Sequence, residues 1–181
     1  MVEIILPVSL IILSWDNTNL QNISLQNFLG ALEAGIVEEI VVRYVMFSNV
    51  FRKLENQKNS LFTSILVSAL IFGCLHFMNL TQQSIFPTID QVIFATAFGI
   101  VFAIIYLYFG QIWWVIFIHF FWDWEQTASS ISTIDAGVSF DPVAFGGRLI
   151  FLAIMIFILW FMMYGKRGKV LRSHADDLIQ N

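Results

Sequence analysis

Residues 35–47 read GIVEEIVVRYVMF, an apolar run that contains two adjacent glutamates and an arginine. The whole chain is similarly apolar: hydrophobic types make up 58% of its 181 residues, charged types make up 12%, and the mean hydropathy is +0.77. Soluble domains usually contain about 45–50% apolar and about 25% charged residues. The composition therefore predicts an integral membrane protein, in which Glu38, Glu39 and Arg43 need partners away from lipid.

Apolar segments separated by polar loops predict an all-α fold, a polytopic transmembrane bundle of about six helices. Loops are predicted at 52–59 and 125–147, with Pro87 as a breaker and Gly110 as a helix end. The predicted helices cover residues 1–15, 28–53, 60–78, 90–109, 111–124 and 148–165. The first of them is short for a span of about 20 residues, so its crossing of the membrane stays open.

The basic residues predict the orientation of this bundle. We expect residues 1–165 to form one transmembrane domain and residues 166–181 to form a charged tail. Seven of the nine Lys and Arg residues lie in the 52–59 loop or in the tail, and the positive-inside rule places both in the cytoplasm. Membrane lipid is therefore an expected partner. The net charge of −4 is small, and no nucleic-acid partner is expected.

The three ionisable residues of the opening stretch divide into a pair and a single group. Glu39 and Arg43 are four residues apart on one predicted helix, so they are expected to pair. Glu38 lies about 100° further round an α-helix, and no basic residue is one helical turn away from it in the sequence. Glu38 has a structural role if it makes a second contact with Arg43 or is buried as a protonated carboxyl. The alternative is that Glu38 belongs to a functional site.

Two further helices carry polar groups of the same kind. His76 follows Phe72 by one turn in LIFGCLHF, and His119 precedes Asp123 by one turn in WVIFIHFFWDW. Alone, each histidine is more often a packing or interfacial residue. Together with Glu38 they come from three predicted helices, and helix bundles build their sites from side chains that converge in this way.

The ordered set of patterns resembles a known family of membrane proteases. The chain has E-E-x-x-x-R at Glu38–Arg43, then F-x-x-x-H at Phe72–His76, then H-x-x-x-D at His119–Asp123. In this order they resemble the CAAX protease and bacteriocin-processing enzyme family, also called the Abi family, which is related to the type II CAAX prenyl endopeptidase. The resemblance covers about residues 30–130. The third motif of that family commonly ends in Asn, and its members often have more helices before the first motif.

The resemblance implies an intramembrane endopeptidase. Glu38 and His76 would hold and activate a water molecule, with Glu38 as the general base. His119 would stabilise the oxyanion, assisted by Asp123, which must be protonated for this or else orients His119. Arg43 would position the glutamates. The substrate would be a membrane-associated peptide or membrane protein.

A metal-dependent alternative uses the same side chains. Glu38, His76 and His119 are plausible zinc ligands, because catalytic zinc typically has three protein ligands and a water, and the family has also been described as metalloproteases. The H-E-x-x-H pattern is absent from the sequence, so metal-free chemistry without a cofactor is the favoured expectation. Cys74, two residues before His76, is on a nearly opposite face and is a poor candidate nucleophile.

The resemblance and the Ile-, Phe- and Asn-rich composition indicate a bacterial plasma-membrane protein with a cytoplasmic C-terminus. Family members of this kind are linked to bacteriocin self-immunity or peptide processing, whereas cleavage of prenylated CAAX proteins is not expected in a bacterium. The competing class is a non-catalytic membrane protein, either an immunity or scaffold protein or an ion or proton pathway, since intramembrane ionisable groups serve both uses.

Overall fold

The computed structural model describes residues 24–129 and 141–180, and within these ranges every regular element is helical. The predicted all-α fold is therefore confirmed, while the predicted helix at residues 1–15 lies outside the described residues. The elements are α1 (Leu25–Glu39), a π-helical segment (Ile40–Phe47), α2 (Ser48–Leu54), α3 (Ser60–Leu75), a 3₁₀ segment (His76–Thr81), α4 (Ile85–Phe109), α5 (Trp113–Ser129), α6 (Pro142–Met162) and α7 (Gly165–Gln180).

Within residues 24–129 and 141–180, three helical stretches are long and apolar enough to cross a membrane. They are Ser60–Thr81, Ile85–Phe109 and Pro142–Met162, which have 22, 25 and 21 residues. A span of the hydrocarbon core needs about 20 residues. These stretches agree with the predicted third, fourth and sixth helices, and they support the prediction of a helical membrane protein.

The opening stretch lies in a helix whose hydrogen bonding changes midway. Ser24 begins α1 by accepting a hydrogen bond from the Asn27 N–H at 3.1 Å. From Ile40 to Phe47 the helix is π-helical, a rare form with i→i+5 bonding that occurs frequently at functional sites. The expected pairing of Glu39 with Arg43 assumed α-helical spacing, and it stays a prediction.

Several predicted boundaries are wrong, because α4 includes a proline in its first turn and Asp141 caps the start of α6. Helix α4 begins five residues before the predicted start and includes Pro87. Proline is tolerated there because the N–H groups of the first turn have no acceptor within the helix. Helix α6 begins at Pro142, where the Asp141 carboxylate accepts from the N–H groups of Val143 and Ala144. Because α5 continues to Ser129, the predicted 125–147 loop is too long at both ends.

Gly110 ends α4 as predicted. It adopts a left-handed conformation with φ of 66°, and its N–H donates to the carbonyl of Tyr106. Glycine adopts this conformation without the steric cost that other residues pay.

The described residues fall into two compact units. The first unit contains residues 24–41 and 111–129, and its two helices, α1 and α5, pack against each other. The second unit contains residues 42–110 and 141–180, where α4 packs against α3, α6 and α7. Close approach of α3 and α4 depends on Gly99, where a Cβ would lie 3.0 Å from the Ala69 Cα.

The predicted charged tail is largely helix α7, which is fastened to the second unit by two side chains. Arg172 donates to the Ser60 hydroxyl at 2.6 Å, pairs with Asp176 at 2.9 Å and lies over the Phe51 ring. His174 Nδ1 donates to the Leu107 carbonyl at 2.6 Å, near the end of α4. The tail and the 52–59 loop therefore lie at the same end of this unit, as the positive-inside prediction requires.

We expect Arg172→Met to destabilise the second unit. Loss of the charged hydrogen bond to Ser60 and of the Asp176 pair should lower the free energy of unfolding by about 1–3 kcal/mol. Thermal unfolding in detergent measures the change. Lys169→Met is the matched control, because Lys169 is exposed on the same helix; equal melting temperatures for both variants would contradict the assigned role of Arg172.

Candidate functional site

His119 and three carboxylates form a cluster in the first unit. His119 Nδ1 lies 3.0 Å from Glu39 Oε1, across 80 residues of sequence. The other ring nitrogen, Nε2, lies 3.4 Å from Asp123 Oδ2 and 3.9 Å from Glu38 Oε2. Asp123 is one turn beyond His119 on α5, and both glutamates end α1. The structure thus brings together four of the residues that the sequence singled out.

The cluster has a buried side and an accessible side. The side chain of Glu39 is 0% exposed and that of His119 is 7% exposed. The side chains of Glu38 and Asp123 are 39% and 31% exposed. A molecule that approaches this cluster therefore meets Glu38, Asp123 and the Nε2 edge of the ring, while the Nδ1 edge stays covered.

Hydrogen bonding determines which atoms of His119 can act. An ionised carboxylate only accepts, so the bond to Glu39 places a proton on Nδ1. The neutral ring then has a lone pair at Nε2, whereas the protonated ring donates from both nitrogens. In the protonated form Nε2 is an N–H donor at the accessible side, between the carboxylates of Asp123 and Glu38.

Close packing of α1 on α5 sets this geometry. A Cβ on Gly35 would lie 3.0 Å from the Phe120 backbone nitrogen and 3.2 Å from the Ile116 carbonyl oxygen. Gly35 precedes Glu39 by one turn, and the two contacted residues flank His119 in sequence. Ala31, one turn before Gly35, is also buried, whereas a Cβ on Gly30 would have no atom within 4 Å.

The second unit holds the remaining residues of the three motifs. Phe72 is buried in a core cluster with Val42 and Ala95. The Arg43 guanidinium is fully buried and lies 5.8 Å from the Phe72 ring centroid. The F-x-x-x-H spacing has a direct structural use, because His76 Nδ1 lies 3.0 Å from the Phe72 carbonyl oxygen.

This contact defines the proton position on His76. A carbonyl oxygen only accepts, so Nδ1 is the protonated nitrogen and Nε2 of the neutral ring has the lone pair. The edge-to-face packing of the two rings, with centroids 5.1 Å apart, fixes the orientation further. Because His76 belongs to the second unit and the His119 cluster to the first, the expected convergence of His76 with Glu38 and His119 stays a prediction.

Glu39 has a contact that local spacing in the sequence does not predict. The four-residue spacing predicts a pairing with Arg43, and this stays a prediction. The structure shows a hydrogen bond between Glu39 and His119 of α5. No local spacing reveals a contact between residues so distant in sequence. The adjacent glutamates were the sequence feature that could have indicated this contact. Neighbouring residues of a helix point about 100° apart, and here the two carboxylates lie near the two nitrogens of one ring.

We expect Glu39→Gln to reduce activity by about tenfold, less than a change at Glu38. Glutamine keeps the volume and an oxygen acceptor for His119 Nδ1 but loses the charge. Hydrogen bonds to charged groups contribute about 1–1.5 kcal/mol more than neutral ones, which corresponds to roughly a five- to tenfold change in rate. Steady-state cleavage rates of purified protein measure the loss; a wild-type rate would show that the charge of Glu39 does not support His119.

The described residues contain no group of three or more His, Cys, Asp or Glu side chains arranged to hold a metal ion. This statement covers residues 24–129 and 141–180. The zinc set proposed from sequence takes His76 from one unit and the other two residues from the other.

Comparison with known proteins identifies the family. A family model described as type II CAAX prenyl endopeptidase Rce1-like matches residues 20–124, more than half of the chain, and this segment contains all three motifs. Neither the curated proteins nor the solved structures gave a match. The match confirms the resemblance seen in the motifs, and with the apolar helices it identifies an integral membrane protein. The chain belongs to the type II CAAX prenyl endopeptidase Rce1-like family, a family of membrane proteases.

Proposed function

We propose that the chain is an intramembrane endopeptidase that cleaves a membrane-associated peptide or membrane protein, with Glu38 and His76 activating the water. The observation that carries this proposal is the unequal placement of the two glutamates around His119. Glu39 is fully buried on Nδ1, whereas Glu38 is accessible near Nε2. One carboxylate thus holds the ring, and the other, at the accessible side of the cluster, is the one proposed to take a proton from water.

His119 is the proposed oxyanion stabiliser. With Nδ1 bonded to Glu39, a protonated ring presents its Nε2–H at the accessible side of the cluster, where a developing negative charge can be stabilised. Asp123, 3.4 Å from the same nitrogen, is proposed to orient the ring, and this role needs no protonated carboxyl. In the alternative, a protonated Asp123 donates its carboxyl O–H to the oxyanion. The side-chain amide of Asn would donate this hydrogen bond in other family members.

His76 is the proposed second holder of the water. Its Nδ1–H is occupied by the Phe72 carbonyl, which leaves the Nε2 lone pair to accept a hydrogen bond from water. Arg43, buried beside Phe72, is proposed to neutralise negative charge of the glutamates. This mechanism requires that His76 and Glu38 face one water molecule in the active protein.

Metal-free hydrolysis is the proposed chemistry, and the zinc alternative has one observation in its favour. A histidine that binds zinc usually donates its other ring N–H to a carboxylate or carbonyl, as both His119 and His76 do. Chelation decides between the two. We expect purified protein to retain cleavage after treatment with 1,10-phenanthroline and dialysis; loss of activity that zinc restores would establish the metal-dependent mechanism.

The function is tested by comparing peptides in membranes of cells that express either wild-type protein or the double variant Glu38→Gln, His76→Ala. We expect cleavage products that are present with wild type and absent with the double variant, at equal amounts of inserted protein. The protease proposal is overturned if both proteins support the same in vivo function and the same peptides. That result would instead favour a scaffold, immunity or ion-pathway protein.

The proposed setting is a bacterial plasma membrane, with the C-terminus in the cytoplasm and a role in bacteriocin self-immunity or peptide processing. The basic residues of α7 and of the 52–59 loop support the orientation, because Arg172 reaches the Glu55 carbonyl and Ser60 from the tail. The peptides identified in the comparison above would name the substrate class.

A further inference from the structure

We propose that Gln91 is a positioning residue that holds the segment bearing His76. Gln91 lies on α4 and its side-chain oxygen accepts two hydrogen bonds. One comes from Asn79 Nδ2 at 2.9 Å and the other from Gln83 Nε2 at 2.7 Å. All three amides are partly buried in the second unit. This inference rests on the proposed role of His76 in the reaction.

The geometry of the 3₁₀ segment connects Gln91 to His76. This segment runs from His76 to Thr81, and side chains three residues apart in a 3₁₀-helix lie on the same face. Asn79 is therefore the next side chain on the face that carries His76. The hydrogen bond that holds Asn79 against α4 therefore restricts rotation of the 3₁₀ segment about its axis, and with it the direction of the His76 side chain.

Backbone hydrogen bonds make the connection stiff. The Asn79 carbonyl accepts from the N–H groups of both Gln82 and Gln83, so the end of the segment is bonded through main chain and side chain together. At the other end, His76 is anchored to the Phe72 carbonyl. The segment is thus held at its start by the hydrogen bond of His76 to Phe72 and further along by the hydrogen bond of Asn79 to Gln91 on α4.

The chemistry of Gln91 permits a sharp test. Because its oxygen is the acceptor in both bonds, Gln91→Glu retains both of them with the same side-chain length. Gln91→Met has similar length and removes the acceptor. Gln82→Met is the matched control, because Gln82 is an exposed glutamine in the same turn. The three variants separate loss of these hydrogen bonds from loss of a glutamine.

The direct readout is the ring of His76, followed by ¹⁵N NMR of the purified protein in detergent, with His76→Ala providing the assignment. We expect the Nδ1–H form in wild type, Gln91→Glu and Gln82→Met, and a mixture of ring forms in Gln91→Met. In parallel, kcat should fall about tenfold in Gln91→Met while KM changes little, and Gln91→Glu should restore it. An unchanged His76 spectrum in Gln91→Met, or failure of Gln91→Glu to behave as wild type, would overturn the proposal.

A second variant covers the case in which Gln91→Met does not fold. Asn79→Ala removes one of the two hydrogen bonds and leaves α4 intact, and the same spectral change at His76 is expected. The NMR result does not depend on protease activity. If Glu38→Gln proves fully active, the proposed function fails, while the spectra still decide whether Gln91 positions His76.

Discussion

Glu38→Gln is expected to reduce peptide cleavage by about 10²–10⁴-fold, the usual contribution of a general base. Glutamine has nearly the same size as glutamate and can still hydrogen-bond to water, but it cannot take a proton from it. Because the Glu38 side chain is 39% exposed, the change leaves no buried charge without a partner and should not alter folding. The loss should therefore appear in kcat, with unchanged membrane insertion and melting temperature.

Glu33→Gln is the matched control for this experiment. Glu33 lies on the same helix, is exposed, and is more than one turn from the His119 cluster. The same loss of one negative charge on α1 should leave its cleavage rate at the wild-type value. If Glu38→Gln cleaves as fast as Glu33→Gln, Glu38 has no part in the mechanism. That result would also contradict the proposal that a glutamate is the general base.

Gly35→Leu is expected to have the second-largest effect, because it disrupts the first unit itself. A Cβ at this position already lies 3.0 Å from the Phe120 backbone nitrogen, and a backbone atom cannot move aside without a shift of α5. Overpacking of this kind typically costs about 1–3 kcal/mol and occasionally more. The shift also moves His119 away from Glu39, and a misplacement of about 1 Å can cost about 10²-fold in rate.

The control for Gly35→Leu is the same substitution at Gly30. That position is exposed on α1, and no atom lies within 4 Å of its Cβ site. Leucine is a better helix former than glycine by somewhat under 1 kcal/mol, so Gly30→Leu should leave stability equal or slightly raised. Melting temperature and cleavage rate, measured together, check both variants. If the two substitutions had equal effects, tight contact at Gly35 would not determine the geometry of the cluster.

Local spacing was sufficient to predict much of this molecule. The apolar lengths of α3, α4 and α6 indicated membrane spans, and Gly110 marked a helix end correctly. The four-residue spacing of His119 and Asp123 placed them on one face of a helix, as observed. These features depend on helix periodicity and on glycine conformation, which a single segment of sequence reveals.

Features that depend on distant contacts were not predictable in the same way. The hydrogen bond between Glu39 and His119 joins residues 80 positions apart, and no period in the sequence encodes it. The π-helical segment after Glu39 has no distinctive composition that would predict it. Helix α7 looked like a solvated charged tail, because the partners of Arg172 and His174 lie at Ser60 and Leu107, far away along the chain.

The fastening of α7 has a consequence for how the protein is made. Ribosomes add α7 after the segments that it contacts, so the Leu107 carbonyl and the Ser60 hydroxyl lack their α7 donors until that helix has been synthesised. The second unit therefore completes its folding only after α7 has been synthesised, and termination of translation before Arg172 leaves the Ser60 hydroxyl and the Leu107 carbonyl without these hydrogen bonds. Cellular quality-control proteases would meet such truncated chains as incompletely assembled membrane helices.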